Sequence, residues 1–328
     1  MALPKTLMHQ KRTKIAFNNT LRNRRDTRII TPKAPDISIT VTLENQSLTA
    51  VDLLADKTEM PKARIKDAMA KGAVWRIVNG KSKRIRRAKT VLNEGEQLEL
   101  YYNADVLSQT PPEPELIHHE PSYSVWNKPV GLLSSGSKYG DHCAIDRWIE
   151  RTTNKETFLV HRLDRFATGL MVVAHNKAAA TNLSDQFSKR KVEKHYEVIV
   201  EGKVTSGGTI ATELDGKSAI THFSVLNQID DRSHLSVNIE TGRKHQIRKH
   251  LAELGFPVVG DRQYGDETTT EALQLKACYL AFNCPATKWR KEFNLDQTYR
   301  PSLTSTSAIK DSATTQTGSE SPPQPPNQ

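Results

Sequence analysis

Residues Val160 to Asn176 read VHRLDRFATGLMVVAHN. A charged knot, His161-Arg162-Leu163-Asp164-Arg165, passes through Gly169 into the apolar run Leu170-Met171-Val172-Val173-Ala174, with no Pro or Asn between them. A short apolar run of this length has the character of a buried strand, which puts the knot at a strand entrance. An aspartate flanked by arginines has two readings there. It is a structural ion pair with Arg162 or Arg165, or it is a carboxylate whose ionised form is favoured by the cations, able to act as a nucleophile while spare arginines hold phosphates.

Working outward, Asn176 is placed to cap a helix in which Ala179, Leu183 and Phe187 fall four apart, and HYEVIVEG returns as a strand. Farther on, Leu235, Val237 and Ile239 alternate as in a half-exposed strand, and Thr241-Gly242 turns the chain. RKHQIRKHLAELG then predicts a helix with Ile247, Leu251 and Leu254 inward and Gly255 as its cap. Arg243, Lys244, Arg248 and Lys249 would open that helix, a natural seat for phosphate or carboxylate. Residues 122–300 therefore read as one mixed strand-and-helix domain.

Upstream, Leu48, Val51, Leu54 and Ala55 recur at helical spacing, as do Ile65, Ala68 and Met69, and AVWRIVNG and QLELYY read as strands with Asn79-Gly80 as a turn. Between these two regions SQTPPEPELIHHEP carries four prolines. Residues 103–121 are accordingly expected to form a linker with few contacts across it. Residues 1–35 and 301–328 are expected to be disordered tails, the first basic and the second rich in Ser, Thr, Pro and Gln.

The net charge of +10 is unevenly spread. Residues 1–35 hold nine Lys/Arg against Asp26, and residues 62–89 hold eleven against Asp67. These patches carry +8 and +10, leaving −8 for the rest of the 328 residues. A single charge run is ordinarily a solvated face, but two such runs point to a polyanionic partner, nucleic acid before an anionic membrane surface. No apolar run approaches the roughly 20 residues of a membrane-spanning helix, and MALPKTLMHQKRTK lacks the apolar centre of a secretory signal. Cys143, Cys278 and Cys284 are odd in number and widely spaced, arguing against a disulfide framework or a zinc site. A cytoplasmic protein without a membrane partner is expected.

Gly131 to Lys138, GLLSSGSK, imitates a nucleotide phosphate loop, but Ser137 stands where the lysine must follow the second glycine, so nucleotide binding is not expected. His161 with Asp164 suggests a metal pair, against the blander reading of a hydrogen-bonded structural histidine; no further ligand cluster joins them. Glycoside hydrolysis needs two carboxylates where the knot offers one.

The combination HRLDRFATGL, Tyr196 in KHYEVIVEG thirty-two residues after Asp164, and ETGRKHQIRKHLAELGFPVVGDRQYG resembles the RluA-type pseudouridine synthases. WNKPVGLLS, KSAITHF and LQLKACYLAF are similar to the family's opening, middle and closing segments, so the likeness covers residues 123–286. It implies an α+β fold with a mixed, largely antiparallel sheet, and RNA uridine isomerisation without metal or organic cofactor. Asp164 would be the catalytic aspartate that forms a covalent intermediate, Tyr196 the tyrosine that stacks on the base and takes part in proton removal, and Arg248 the arginine that pairs with the aspartate. Arg162 would enter the gap left by a flipped base, and Arg165, Arg243 and Lys244 would contact RNA.

Residues 40–102 resemble a small α/β RNA-binding module first described in a small-subunit ribosomal protein, with Lys62, Arg64, Lys66, Arg84, Arg86 and Arg87 on its RNA face. Proteins with such an extra module favour ribosomal RNA over transfer RNA as the expected partner; no obligate protein partner is implied. Two departures stand out: Ala167-Thr168-Gly169 where the family has Thr-Ser-Gly, and Lys276 where it has His. A non-catalytic RNA-binding or ribosome-assembly factor on the same scaffold is the alternative, and the intact Asp-Tyr-Arg set argues against it.

Overall fold

The computed structural model describes residues 37–43 and 48–303. The expected tail 1–35 and residues 304–328 of the expected tail 301–328 lie outside the described residues, whereas residues 301–303 are described and Pro301 is buried. The N-terminal part consists of β1 (Ile37–Thr42), α1 (Ala50–Thr58), α2 (Lys62–Ala70), β2 (Val74–Val78), β3 (Lys81–Arg84) and β4 (Gln97–Tyr102), with an antiparallel sheet of order β1-β4-β2-β3. Thr49 caps α1 by accepting from Asp52 N, and Asn79 and Gly80, both at positive φ, make the tight turn between β2 and β3. Leu54, Ile65, Met69, Leu98 and Leu100 bury completely between helices and sheet. The apolar spacing seen in the sequence is thus the inner face of this small unit.

The expected linker is structured over part of its length. Asn103 accepts from Val106 N to start α3 (Ala104–Leu107), which buries Leu107 in the N-terminal core. β5 (Glu115–His119) fits between Pro114 and Pro121 and pairs with β6 (Tyr123–Lys128). The prolines confine it to a sheet edge rather than preventing a strand. Nor are contacts across this segment few: Asp141 N donates to Lys71 O at 2.9 Å, Trp75 Nε1 to Lys138 O at 3.1 Å, and Arg84 and Arg86 both pair with Asp141. At Gly72 (φ 85°) an added Cβ would lie 2.5 Å from Asp141 Oδ1, so the close approach requires glycine.

The larger part continues with α4 (Ile145–Thr153), β7 (Phe158–Leu159), β8 (Thr168–Ala174), α5 (Lys177–Ser188), β9 (Glu193–Glu201), β10 (Gly208–Ile210), β11 (Glu213–Leu214), β12 (Lys217–Ser218), β13 (Thr221–Ile229), β14 (Arg232–Ile239), α6 (Gln246–Glu253), β15 (Leu275–Asn283) and β16 (Arg290–Asn294). One ten-stranded sheet has the order β10-β13-β14-β9-β15-β8-β6-β5, with β16 on β15 and β7 on β8. Only the β8–β15 pairing is parallel, so the sheet is mixed and largely antiparallel, and the fold is α+β.

The apolar run of the opening motif is β8. Leu170, Val172 and Ala174 face the cluster under α5, while Met171 and Val173 face the cluster with Trp126, Ile145 and Tyr196. Coverage on both faces explains a run without alternation. Gly169 (φ 105°) lets β8 reach β15, because a Cβ there would meet Ala277 O at 2.3 Å. The helix expected from Arg243 begins instead at Gln246. His245 sits at φ 55°, and buried Gln246 ties the preceding turn by accepting from Thr241 Oγ1 and Arg243 N and donating to Ile220 O. Arg243 and Lys244 therefore lie on the turn, before the helix.

Candidate active site

Asp164 lies on the loop before β8, in a cleft of about 1000 Å³ also lined by Arg162, Tyr196, Arg243, His245 and Arg248. The loop is clamped on both sides of the aspartate. Ser134 Oγ donates to Leu163 O at 2.6 Å and accepts from Leu163 N at 3.0 Å. Arg165 O accepts from Gly131 N at 3.0 Å and from Lys128 Nζ at 3.3 Å. Fully buried Lys128 also donates to Pro129 O and Leu132 O, which satisfies its three donors. Burial pushes its amine down to about 7, against the opposing pull of Asp164. Lys128 and Ser134 thereby hold the backbone on which Asp164 is displayed.

Arg248 comes from α6 and is buried. Its fork grips Asp261 through two hydrogen bonds of 2.7 Å, while Nη1 stands 3.5 Å from Asp164 Oδ2. The arginine expected to pair with Asp164 thus has a stronger partner, fixed in turn by Gln263 N and Tyr264 N donating to Asp261 Oδ1. Burial alone would raise the Asp261 carboxyl; the Arg248 fork more than offsets this and holds it below the ordinary range. Asp164 is left with one distant cationic contact and an open side.

Tyr196 rises from β9 beside Asp164 and is 7% exposed. Burial, reinforced by the Asp164 charge, raises its phenol well above the ordinary value, so it is protonated at neutral pH. His245 Nε2 is 3.8 Å from Asp164 Oδ1, and its Nδ1 is 2.9 Å from Tyr264 Oη. Burial depresses the His245 imidazole despite Asp164, leaving it neutral at pH 7. Lys128, Ser134, His245, Asp261 and Tyr264 were not singled out by the sequence reading. The signals were a lysine closing an apolar strand before proline, and an aspartate and tyrosine in VVGDRQYG.

Other sites read from the sequence are dispersed. His161 is structural: Nε2 accepts from Val172 N at 3.0 Å, the ring stacks on Phe187, and burial lowers it to about 3. Arg162 is exposed on the cleft, Arg243 lines it while donating to Ser218 O, and Lys244 is exposed outside it. Arg165 turns away to Gln109 Oε1 at 3.0 Å. Lys62, Arg64, Lys66 and Arg87 are exposed on the N-terminal part, whereas Arg84 and Arg86 are engaged by Asp141. Of the two departures, Ala167 is buried and lines the same cleft, and Lys276 donates to Tyr299 O. Among the described residues no group of three or more His, Cys, Asp or Glu is gathered to hold a metal, and no helix is long and apolar enough to cross a membrane.

The sequence profile of RNA pseudouridylate synthases matches residues 122–253. The chain is 30% identical over 246 residues to ribosomal large subunit pseudouridine synthase D of Pseudomonas aeruginosa, spanning 64% of this chain and 77% of that protein. The protein of the same name from Buchnera aphidicola subsp. Baizongia pistaciae is 43% identical over 123 residues, 33% of this chain and 39% of the relative. Among solved structures, human RNA pseudouridylate synthase domain containing 1 superposes with a TM-score of 0.50 at 23% identity, covering 62% of this chain and 97% of that one, which is a likeness of fold.

Proposed function

Since the chain belongs to the RluA-type RNA pseudouridine synthases, which are RNA isomerases, we propose that it converts uridine to pseudouridine in large-subunit ribosomal RNA in the cytoplasm, with Asp164 as the nucleophile. The observation that carries this reading is the Asp164 carboxylate in the cleft, with Tyr196 beside it and its nearest arginine, Arg248, 3.5 Å away and gripped by Asp261. Asp164 forms a covalent bond to the target uridine, the bond from ribose C1′ to N1 breaks, and the uracil turns. A new bond then joins C1′ to C5 as the bond to Asp164 breaks and returns its carboxylate, the C5 proton leaves, and N1 takes up a proton. The product is an isomer, so no oxidant, reductant or group donor enters the balance.

Reaching the target atom requires taking the base out of its stack, at a cost of a few kcal/mol. Tyr196 offsets part of this by stacking, and exposed Arg162 fills the vacated space. Because the Tyr196 phenol is held protonated, its first role is that of a platform rather than a base. The ribosomal target rests on the names of the relatives and on the exposed Lys62, Arg64, Lys66 and Arg87 of the N-terminal part, which serve as an RNA-binding module. A transfer RNA target is the second reading, and the same assay decides between them.

The test is Asp164→Asn, which keeps shape but removes the anion. Pseudouridine formation in a ribosomal RNA fragment should fall by at least about a thousandfold while RNA binding survives. Turnover within a few-fold of wild type would end the assignment of the nucleophile. Mapping pseudouridines in ribosomal and transfer RNA with and without the gene identifies the target class.

A further inference from the structure

A second concave site, of about 340 Å³, is lined by Asp67, Ala70, Lys71, Arg86, Arg147 and Arg151 and shares no residue with the Asp164 cleft. It lies where the C-terminal end of α2 meets α4, two elements some eighty residues apart in the chain. The junction is held shut by the pairing of Arg86 and Arg84 with Asp141, by Asp141 N donating to Lys71 O, and by Arg84 Nε donating to Gly72 O at 2.8 Å. Tertiary structure alone brings these four cations together.

We propose that this groove holds the phosphodiester backbone of the substrate RNA at a point away from the reacting uridine, an inference that rests on the RNA-modifying function above. Arg147 and Arg151 are four apart on α4 and so share one face. Arg151 is exposed and makes no ion pair among the described residues. The side chain of Arg147 forms a hydrogen bond only through Nη1, to Glu150 at 3.0 Å, which leaves most of its donors for an acceptor.

The opposite wall continues outward. Ala70 lines the groove, and Lys66 and Lys62 lie one and two turns back along the same face of α2, both exposed. Lys66 makes no ion pair among the described residues, and Lys62 has only a solvent-exposed contact with Asp52. From Lys62 to Ala70 the helix advances about 12 Å, long enough to meet more than one phosphate of a strand. A row of cations on α2 thus runs into a cationic notch walled by α4, which suits a polyanionic strand crossing from the N-terminal part onto the catalytic part. A merely solvated charged face would not converge from two distant elements on a hollow. Of the acidic groups nearby, Asp141 is bound by two arginines, Asp67 by Lys71 and Glu150 by Arg147, while Asp146 lies partly buried at the start of α4.

The experiment compares full-length wild type, Arg151→Ala and the double variant Arg147→Ala/Arg151→Ala. Binding of a transcribed large-subunit ribosomal RNA fragment is measured against KCl concentration, with pseudouridine formation at saturating RNA measured in parallel. Each lost phosphate contact should flatten the salt dependence by roughly 0.7 to 0.9, so the double variant should lose about 1.4 to 1.8 and bind on the order of tenfold more weakly near physiological salt. Turnover at saturation should stay within about twofold, because neither arginine lines the cleft. An unchanged salt slope in the double variant overturns the proposal. Should the double variant misfold, the exposed Arg151→Ala alone decides it, with an expected loss of roughly 0.7 to 0.9 in slope and an unchanged slope counting against. The two readings fail separately: a wild type that forms no pseudouridine refutes the proposed function, whereas an active wild type with an unaltered slope in the variants refutes only the groove.

Discussion

Two arginine–aspartate clusters organise this molecule, and they are built in opposite proportions. In the cleft one arginine, Arg248, meets two carboxylates: Asp261 takes its fork at 2.7 Å and Asp164 is left at 3.5 Å. At the junction one carboxylate, Asp141, takes two arginines, Arg84 and Arg86. Burial explains why the difference matters. A charge removed from water needs a close partner, and the group in excess is the one left able to react or to bind something else. In the cleft the excess is a carboxylate facing a cavity, suited to nucleophilic attack. At the junction the carboxylate is closed off by its two arginines, and the neighbouring Arg151, exposed and without an ion pair among the described residues, is left for an anion. The chemistry of each place follows from which partner was supplied twice.

The comparison breaks most decisively at Asp261. Asp261→Asn leaves Arg248 buried with Asp164 as its only carboxylate, which would draw Asp164 off its position. Loss of one partner of a buried pair costs about 3 to 5 kcal/mol, and pseudouridine formation at saturating RNA should fall at least about a hundredfold. Denaturant unfolding and the modification assay check both. Wild-type turnover in this variant would show that Asp164 is positioned by its backbone clamp alone.

Asp141→Asn should have a smaller effect, because the side chains of Arg84 and Arg86 retain 21% and 26% of their exposure and can turn to water. A loss of about 1 to 2 kcal/mol is expected, with turnover per bound RNA unchanged within a few-fold and the junction more open to proteolysis. A stability loss as large as that of Asp261→Asn would mean that the two clusters are energetically alike.

The smallest effect sharpens the comparison through pH. Asp146, at the start of α4, has its carboxyl pushed up to about 6, chiefly by burial and also by the charges of Asp141 and Glu150, against a hydrogen bond from Arg147 N. A carboxyl that holds its proton more tightly when folded takes up protons on folding between its unfolded value near 4 and about 6, so acidification through this window favours the folded state. Its ionised form at pH 7 is correspondingly unfavourable. Asp146→Asn should therefore be the more stable protein at pH 7, with the advantage shrinking as pH falls from about 6 to 4. Melting temperatures of both proteins across that range test this, and an advantage independent of pH would assign the effect to something other than charge.

The elements of both regions that were legible in the sequence are those that depend on local patterns. Apolar spacing placed α1, α2 and α5, Asn176 announced its cap, and Asn79-Gly80 announced the β2–β3 turn. The start of α6 was misplaced because the turn before it is set by Gln246 reaching Thr241 and Ile220, contacts with no local signal. The strand in the proline-bearing segment was missed because prolines at its borders read as a spacer, although an edge strand tolerates them there.

Within the site, the family resemblance singled out Asp164, Tyr196 and Arg248, since the order and spacing of the three motifs that carry it is linear information. It could not apportion Arg248 between Asp164 and Asp261, nor divide the basic residues into those facing solvent and those held by Asp141. Those are questions of distance and burial between segments far apart in the chain. The sequence by itself determined the fold class, the family and the catalytic candidates, because periodicity, turn chemistry and motif order are written along the backbone. Only the tertiary structure decided which carboxylate stands open, how Lys128 and Ser134 clamp its loop, and that α2 and α4 enclose a cationic groove, because ion pairing and desolvation depend on which groups the fold brings within a few ångströms of one another.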